Sequence, residues 1–287
     1  MKPNTSRRPP KPLPRPDPVP GRRFKLVIAY DGSGFAGWQR QKIGTGVQEI
    51  VEVALEKLFP SRPILHSSSR TDTGVHARGM VAHFTVPPAE ARLTGRKLLL
   101  AINAHLPETI RVMAAARTTD TFHARFDATG KQYRYHVWNH PALDPLRRTT
   151  AWHVTRTLDL AAMRTAAQHF VGRHDFRSFT ANPGYARDST VRHLTRCDIV
   201  RSGPEFRFII EGEGFLYKMC RGIVGTLVQV GLGRFPPDEV RTMLAQLDRR
   251  VAGMTAPALG LVLWQVYYPK KSAPAKPTAN PADPDDE

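Results

Sequence analysis

The chain has 287 residues, with 42 Lys plus Arg against 25 Asp plus Glu, a net charge of +17 and 41% hydrophobic residues. That length allows one large domain or two modest ones with a real core, and the cationic excess points to a polyanionic partner, nucleic acid ahead of an anionic membrane surface. Two cysteines, Cys197 and Cys220, without CxxC spacing exclude a disulfide framework and argue against structural zinc.

No apolar run approaches a membrane span, and the basic N-terminus lacks the apolar core of a signal peptide, so a cytoplasmic protein with reduced thiols is expected. Residues 1–22 are Pro-rich and basic, and residues 270–287 are Pro-rich and end acidic. Neither can bury enough apolar surface to offset its conformational entropy, and both are expected to be disordered.

Between the tails, strands and helices alternate. Phe24 to Tyr30 reads as a mostly buried strand. Val47, Ile50, Val51, Ala54, Leu55 and Leu58 recur at helical spacing, with Glu49, Glu52 and Glu56 expected to point elsewhere. Thr45 and Gln48 have the spacing of a capping box at that helix's start. Val81 to Val86 reads as a strand and Arg96 to Leu106 as a helix stopping before Pro107. Lys131 to Trp138 alternates as a strand, with Tyr133 and Tyr135 on one face and Arg134 and His136 on the other.

Further on, Asp159 can cap a helix carrying Leu160, Met163, Ala167 and Phe170, with Gly172 closing it. Strands are expected near 191–200 and 205–212, then a helix from about Leu216 to Val230, another after Pro236 and Pro237, and a last strand from Leu261 to Tyr268. The pattern predicts an α+β protein with halves 23–150 and 151–269, each ferredoxin- or RRM-like, their antiparallel sheets backed by helices around a basic central cleft.

Two motifs invite readings that their context defeats. Gly32, Gly34 and Gly37 match G-x-G-x-x-G after a strand, but run into Trp38 and Gln39 instead of opening a helix, so a dinucleotide site is rejected. A loop whose backbone approaches a ligand or another segment fits better. Asp72-Thr73-Gly74 spells the aspartic-protease triplet, which needs a second such carboxylate; the nearest candidate, Asp188-Ser189-Thr190, lacks the glycine. Arg70, two residues from Asp72, would also favour ionisation where a protease dyad must keep a proton.

The segment Ser69-Arg70-Thr71-Asp72-Thr73-Gly74-Val75-His76-Ala77 gains meaning beside three others. These are Tyr30 to Gln41 (YDGSGFAGWQRQ), Phe122 to Tyr135 (FHARFDATGKQYRY) and Phe215 to Gly225 (FLYKMCRGIVG). Together with Gly172 to Phe179 and Ala256 to Leu261, they resemble the tRNA pseudouridine synthase A family across essentially the whole folded region. Ser69, Thr73 and Met80 stand where that family usually has Gly, Ala and Gln, and none of these departures removes a reactive group.

The resemblance implies isomerisation of uridine to pseudouridine at positions 38, 39 and 40 of the anticodon arm, by a homodimer acting on tRNA. The reaction breaks the N1–C1′ bond and joins C5 to C1′, and needs no redox partner, metal or cosubstrate. By resemblance Asp72 is the nucleophile; whether it attacks C1′ or C6, or removes a proton, stays open. Arg221 corresponds to the arginine that pairs with the aspartate, Tyr133 to the tyrosine that stacks on the base, and Arg70 to the residue that helps draw the nucleotide from its stack. His76, His123 and His174 are scattered without metal-ligand spacing and are read as structural, and packing is as good a reading of Trp38 as base stacking. A non-catalytic RRM-like module would share the basic charge and strand aromatics, but would need no pairing of Asp72 with Arg221.

Overall fold

The computed structural model describes residues 20–182 and 189–269. Apart from residues 20–22, the two tails lie outside the described residues, as does Asp188. In chain order the elements are β1 (Arg22–Tyr30), α1 (Val47–Glu56), β2 (His66–Ser67), β3 (His76–Val86), α2 (Gly95–Asn103), β4 (Ile110–Arg117), β5 (Gly130–Asn139), β6 (Trp152–Val154), α3 (Leu160–Gln168), β7 (Gly172–Asp175), β8 (Val191–Ser202), β9 (Glu205–Gly212), α4 (Met219–Gly231), α5 (Glu239–Gln246) and β10 (Leu261–Tyr267).

The α+β class holds, but the strands form one sheet. Its ten strands run in the order β4-β1-β3-β10-β5-β9-β8-β7, with β2 added beside β3 and β6 beside β5. The last strand explains the continuity: β10 returns to insert between β3 and β5, parallel to the first and antiparallel to the second. With the parallel β5–β6 ladder this makes the sheet mixed instead of purely antiparallel. β5 pairs along its length with β9, so strands from both stretches of the sequence share every hydrogen-bonded layer near the centre.

Alternation along the strands builds the core. In β1, Phe24, Leu26, Ile28 and Tyr30 are buried while the residues between them are half-buried, except for Arg23, which is also buried. Phe24 stacks on Phe84 across the β1–β3 ladder, and Phe59, just beyond α1, closes on the same ring. Tyr133, Tyr135 and Val137 line the inward face of β5, as period-two alternation requires.

Several local expectations fail for identifiable reasons. No capping box forms at Thr45: Gly46 is the N-cap, and the first amides of α1, Val47 and Gln48, donate to the carbonyls of Gly37 and Trp38. Glu52 does not point away, because its carboxylate accepts from the Leu65 amide and from Gln48 and is buried there. Asp159 does cap α3, accepting from the Ala162 amide at 3.0 Å, but the helix ends at Gln168, and Gly172 opens β7 instead of closing the helix. No helix among the described residues is long and apolar enough to cross a membrane.

Helix α4 is the most enclosed element. All of its residues are buried except Arg221. Gly225 lets the backbone of Met254 to Ala256 lie directly against it, since a Cβ there would run into the Met254 carbonyl oxygen. On an exposed helix, Gly→Ala stabilises by about 1 kcal/mol. Here Gly225→Ala should instead destabilise, by about 1–3 kcal/mol through overpacking. Urea unfolding of both proteins tests the sign, and a midpoint equal to or above the wild type would refute the close approach.

Candidate active site

The Asp72 loop is fastened before it reaches the sheet. Thr71 accepts the Trp38 amide on its carbonyl at 3.1 Å, and its hydroxyl shares a 2.7 Å hydrogen bond with the buried Tyr30 phenol. The Val75 amide closes a turn onto the Asp72 carbonyl. Gly37 has φ +96°, and a Cβ there would lie 2.6 Å from the Thr71 carbonyl oxygen, so only glycine fits without displacing the loop. The glycine-rich segment therefore serves the approach of another segment, the Asp72 loop itself.

His76 adds a tie to the C-terminal region. The Gly32 amide donates to its Nδ1, and its Nε2 lies 3.0 Å from the Leu259 carbonyl oxygen. His76 is thus a structural bridge, and Trp38, 1% exposed against Tyr30, is core packing.

Arg221 reaches Asp72 from the first turn of α4, with Nη1 donating to Oδ2 at 3.1 Å, the two residues 149 apart in sequence. Its Nε donates to the Ala256 carbonyl at 2.7 Å, and the Ala256 amide donates back to the Arg221 carbonyl at 3.0 Å. The guanidinium is therefore oriented by two acceptors, a use of its planar fork that an ammonium cannot reproduce. Both side chains are largely shielded, at 20% exposed for Asp72 and 14% for Arg221.

Asp72 lines a cleft of ≈1130 Å³, whose walls also include Arg70, Arg125, Lys131, Lys218, Tyr133 and Phe215. Asp72 is the sole carboxylate among its described lining residues. Tyr133 is 8% exposed and held edge-on by Phe215 at 5.0 Å; burial foremost, with Cys220 and Asp72 nearby, keeps its phenol protonated far above the usual range. Arg70 is exposed at the rim and forms no ion pair with a described residue.

Of the unusual positions, Ser69 and Thr73 line the cleft, while Met80 is fully buried with the Ser68 hydroxyl 3.6 Å from its sulfur. Cys220 also lines the cleft but is buried, and its thiol is pushed well above the usual range by burial and then by Cys197 and Asp72. Both cysteines are free.

The four sequence-selected residues thus come together at one cleft: Asp72, Tyr133 and Arg70 line it, and Arg221 backs Asp72 through its hydrogen bond. Sequence reasoning passed over Lys131, Arg125 and Lys218, although each lies within a motif it had singled out. It also read His123 as scattered, whereas His123 converges with His66 and His83. His66 stacks on His83 at 5.1 Å, and His123 meets His83 edge-on at 4.7 Å, beside the cleft. His83 is pushed down to about 3 by burial, then by His123, His66 and Arg23, and its Nδ1 accepts the Ala124 amide. His174 bonds the Val171 carbonyl, a local structural contact.

Comparison with known proteins agrees with this arrangement. The family described as tRNA pseudouridine synthase matches residues 26–127 and 166–269, which carry Asp72 and Arg221 respectively. The tRNA pseudouridine synthase A of Syntrophotalea carbinolica is 48% identical over 244 residues, covering 85% of this chain and 95% of that one. The enzyme of the same name from Pelobacter propionicus is 45% identical over 250 residues, covering 86% of this chain and 100% of its own. That of Methylacidiphilum infernorum is 41% identical over 246 residues, covering 86% and 95%. With an arginine–carboxylate pair joining the two matched segments, and relatives aligned across nearly their full lengths, the chain belongs to the tRNA pseudouridine synthase family.

Proposed function

We propose that this protein isomerises uridine to pseudouridine at positions 38, 39 and 40 of the tRNA anticodon arm, with Asp72 as the nucleophile. The observation that carries this reading is a carboxylate, the sole one among the described lining residues, held by Arg221 in a cleft that also presents Arg70, Arg125, Lys131, Lys218 and the Tyr133 ring. A carboxylate can add to the base or capture an electron-deficient sugar carbon, and no other acid stands among the described lining residues to take that part. Arg221 holds the carboxylate in one orientation through its hydrogen bond to Oδ2. Tyr133 offers a ring for the uracil to stack on, and Arg70 helps hold the nucleotide out of its stack.

The same reading divides the sheet into two ferredoxin-like halves of four strands, β4-β1-β3-β10 and β5-β9-β8-β7, flanking a basic cleft. The proposed domain limits, 23–150 and 151–269, cut across these halves, since β5 comes from the first stretch and β10 from the second. A homodimer working in the cytoplasm completes the reading, and sedimentation at micromolar concentration would test the assembly.

Mapping pseudouridine in an unmodified tRNA transcript tests the activity. Asp72→Asn keeps shape but removes the charge, and its turnover should fall to background. Its tRNA affinity should be unchanged or slightly tighter, because affinity resides in cation–phosphate contacts. A well-folded Asp72→Asn protein converting uridine near the wild-type rate would sink the assignment.

Arg221→Lys retains a charge but cannot engage both the Ala256 carbonyl and Asp72. A lost charge-assisted hydrogen bond is worth about 1.5–3 kcal/mol, so kcat should drop roughly 10- to 100-fold with little change in tRNA affinity. Equal kcat in single-turnover assays would remove Arg221 from the mechanism.

For Tyr133→Ala, stacking worth roughly 1–3 kcal/mol predicts a loss of about 5- to 150-fold in turnover, larger than the loss in binding. A parallel melting curve matters here, because Tyr133 also packs on Phe215. A matched fall in Tm and in both activities would mark it as core alone.

A further inference from the structure

Lys131 is a cation that the fold encloses without a side-chain partner among the described residues. Its strand, β5, alternates so that Lys131 shares the inward face with Tyr133 and Tyr135. The side chain is largely shielded, lines the cleft, and makes no hydrogen bond or ion pair with any described residue. Across the ladders its register partners are Gly212 on β9 and Val266 on β10, neither of them titratable. The charged groups near it are Arg125, from the loop before β5, and Arg192, on β8; both are cations. Tyr133, two residues along the same face, is a neutral phenol.

A shielded ammonium without a counter-charge is costly. Two neighbouring guanidiniums raise that cost, and Asp72, the sole carboxylate among the described lining residues, is already engaged by Arg221. The arrangement becomes favourable when an anion enters. Two residues of strand separate Lys131 from Tyr133 by roughly 6–7 Å. A base lying on Tyr133 would therefore have its own backbone within the lysine's reach.

Building on the reading of the cleft as the seat of an extruded uridine, we propose that Lys131 binds the RNA phosphate flanking that uridine. It thereby fixes the nucleotide's register against Asp72. The other cleft cations are suited to general attraction of the RNA, whereas Lys131 stands beside the stacking ring, where one phosphate can be held.

The site has a pH signature. Burial, then Arg125 and Arg192, push the Lys131 ammonium down to about 8. The charge is present below that pH and lost above it. A bound phosphate favours the charged form, so tRNA affinity should begin to fall near pH 8 and level off where the lysine of the complex deprotonates.

The test uses the full-length protein, an unmodified tRNA transcript, and the variants Lys131→Arg and Lys131→Met. Binding is measured from pH 7 to 9.5 and over a salt series, with pseudouridine formation followed on the same samples. Wild-type affinity should weaken by up to about tenfold across that pH range. Lys131→Arg should stay flat, since guanidinium does not titrate there. Lys131→Met should be flat, weaker throughout by about tenfold, and lower in salt slope by about one. The α-amino group titrates in the same range but is common to all three proteins.

Identical pH profiles for wild type and Lys131→Arg would overturn the proposal even if Lys131→Met failed to fold. So would an unchanged salt slope in a folded Lys131→Met protein. These results are distinct from failure of the functional reading, which would appear as wild-type protein forming no pseudouridine at all.

Discussion

The contact on which the site depends is the hydrogen-bonded ion pair of Asp72 and Arg221. Its partners come from opposite ends of the fold, one on the loop before β3 and the other in the first turn of α4. Neither could be held by local structure alone. β10 supplies the connection, pairing with β3 through Val262 and Leu263 and with β5 along most of its length. The bridge from His76 to Leu259 and the two bonds between Arg221 and Ala256 stand just before that strand. Closing the sheet with the last strand and assembling the ion pair are thus one event. Such a pair adds modestly to stability because desolvation offsets much of its attraction. What it contributes is geometry: one carboxylate with one orientation.

Helix α4 shows how the fold enforces this. Its residues other than Arg221 are buried, so the helix cannot rotate or slide without exposing apolar surface. The arginine is carried on the one position of the helix that is not buried, and its Nε donates to Ala256 while Nη1 meets the carboxylate. Preorganisation comes from packing, with the hydrogen bonds setting the last degree of freedom.

Much of this was legible in the sequence because it rests on periodicity and on motifs. The alternating face of β5, the Asp159 cap and the order of the long elements follow from spacing. What escaped depends on contacts between distant segments. β4 offers Ala114, Ala115 and Ala116 where β-branched residues would advertise a strand, and is defined by its ladder with β1. The two-residue β2 exists only through β3. Thr45 and Gln48 have capping-box spacing, but the first-turn amides of α1 already have acceptors in the glycine-rich loop. Glu52 reads as solvated until Leu65 brings an unpaired amide to it. At the site, Asp72, Arg221 and Tyr133 were reachable through motifs. Lys131 was not singled out, because a lysine beside tyrosines on a strand carries no mark of whether its charge meets solvent or a closed cleft.

The charge arrangement resolves a conflict built into acting on RNA with a carboxylate. On the proposed reading the nucleophile, Asp72, must be anionic, yet the RNA brings phosphates toward it. At ~6 Å and an effective dielectric of ~20, an isolated carboxylate and a phosphate repel by about 3 kcal/mol. That repulsion would oppose binding most strongly in the reactive pose. Pairing with Arg221 turns the lone charge into a dipole whose field falls off quickly, so the surrounding cations dominate the approach. On the proposed reading the arginine serves binding and chemistry together: it orients the carboxylate while offsetting its charge toward the backbone that would lie beside it. A neutral base, such as uracil, can approach the exposed carboxylate oxygen without that penalty. On this arrangement the cleft separates its tasks by charge, attracting the backbone with cations at its walls and presenting the carboxylate to the base alone.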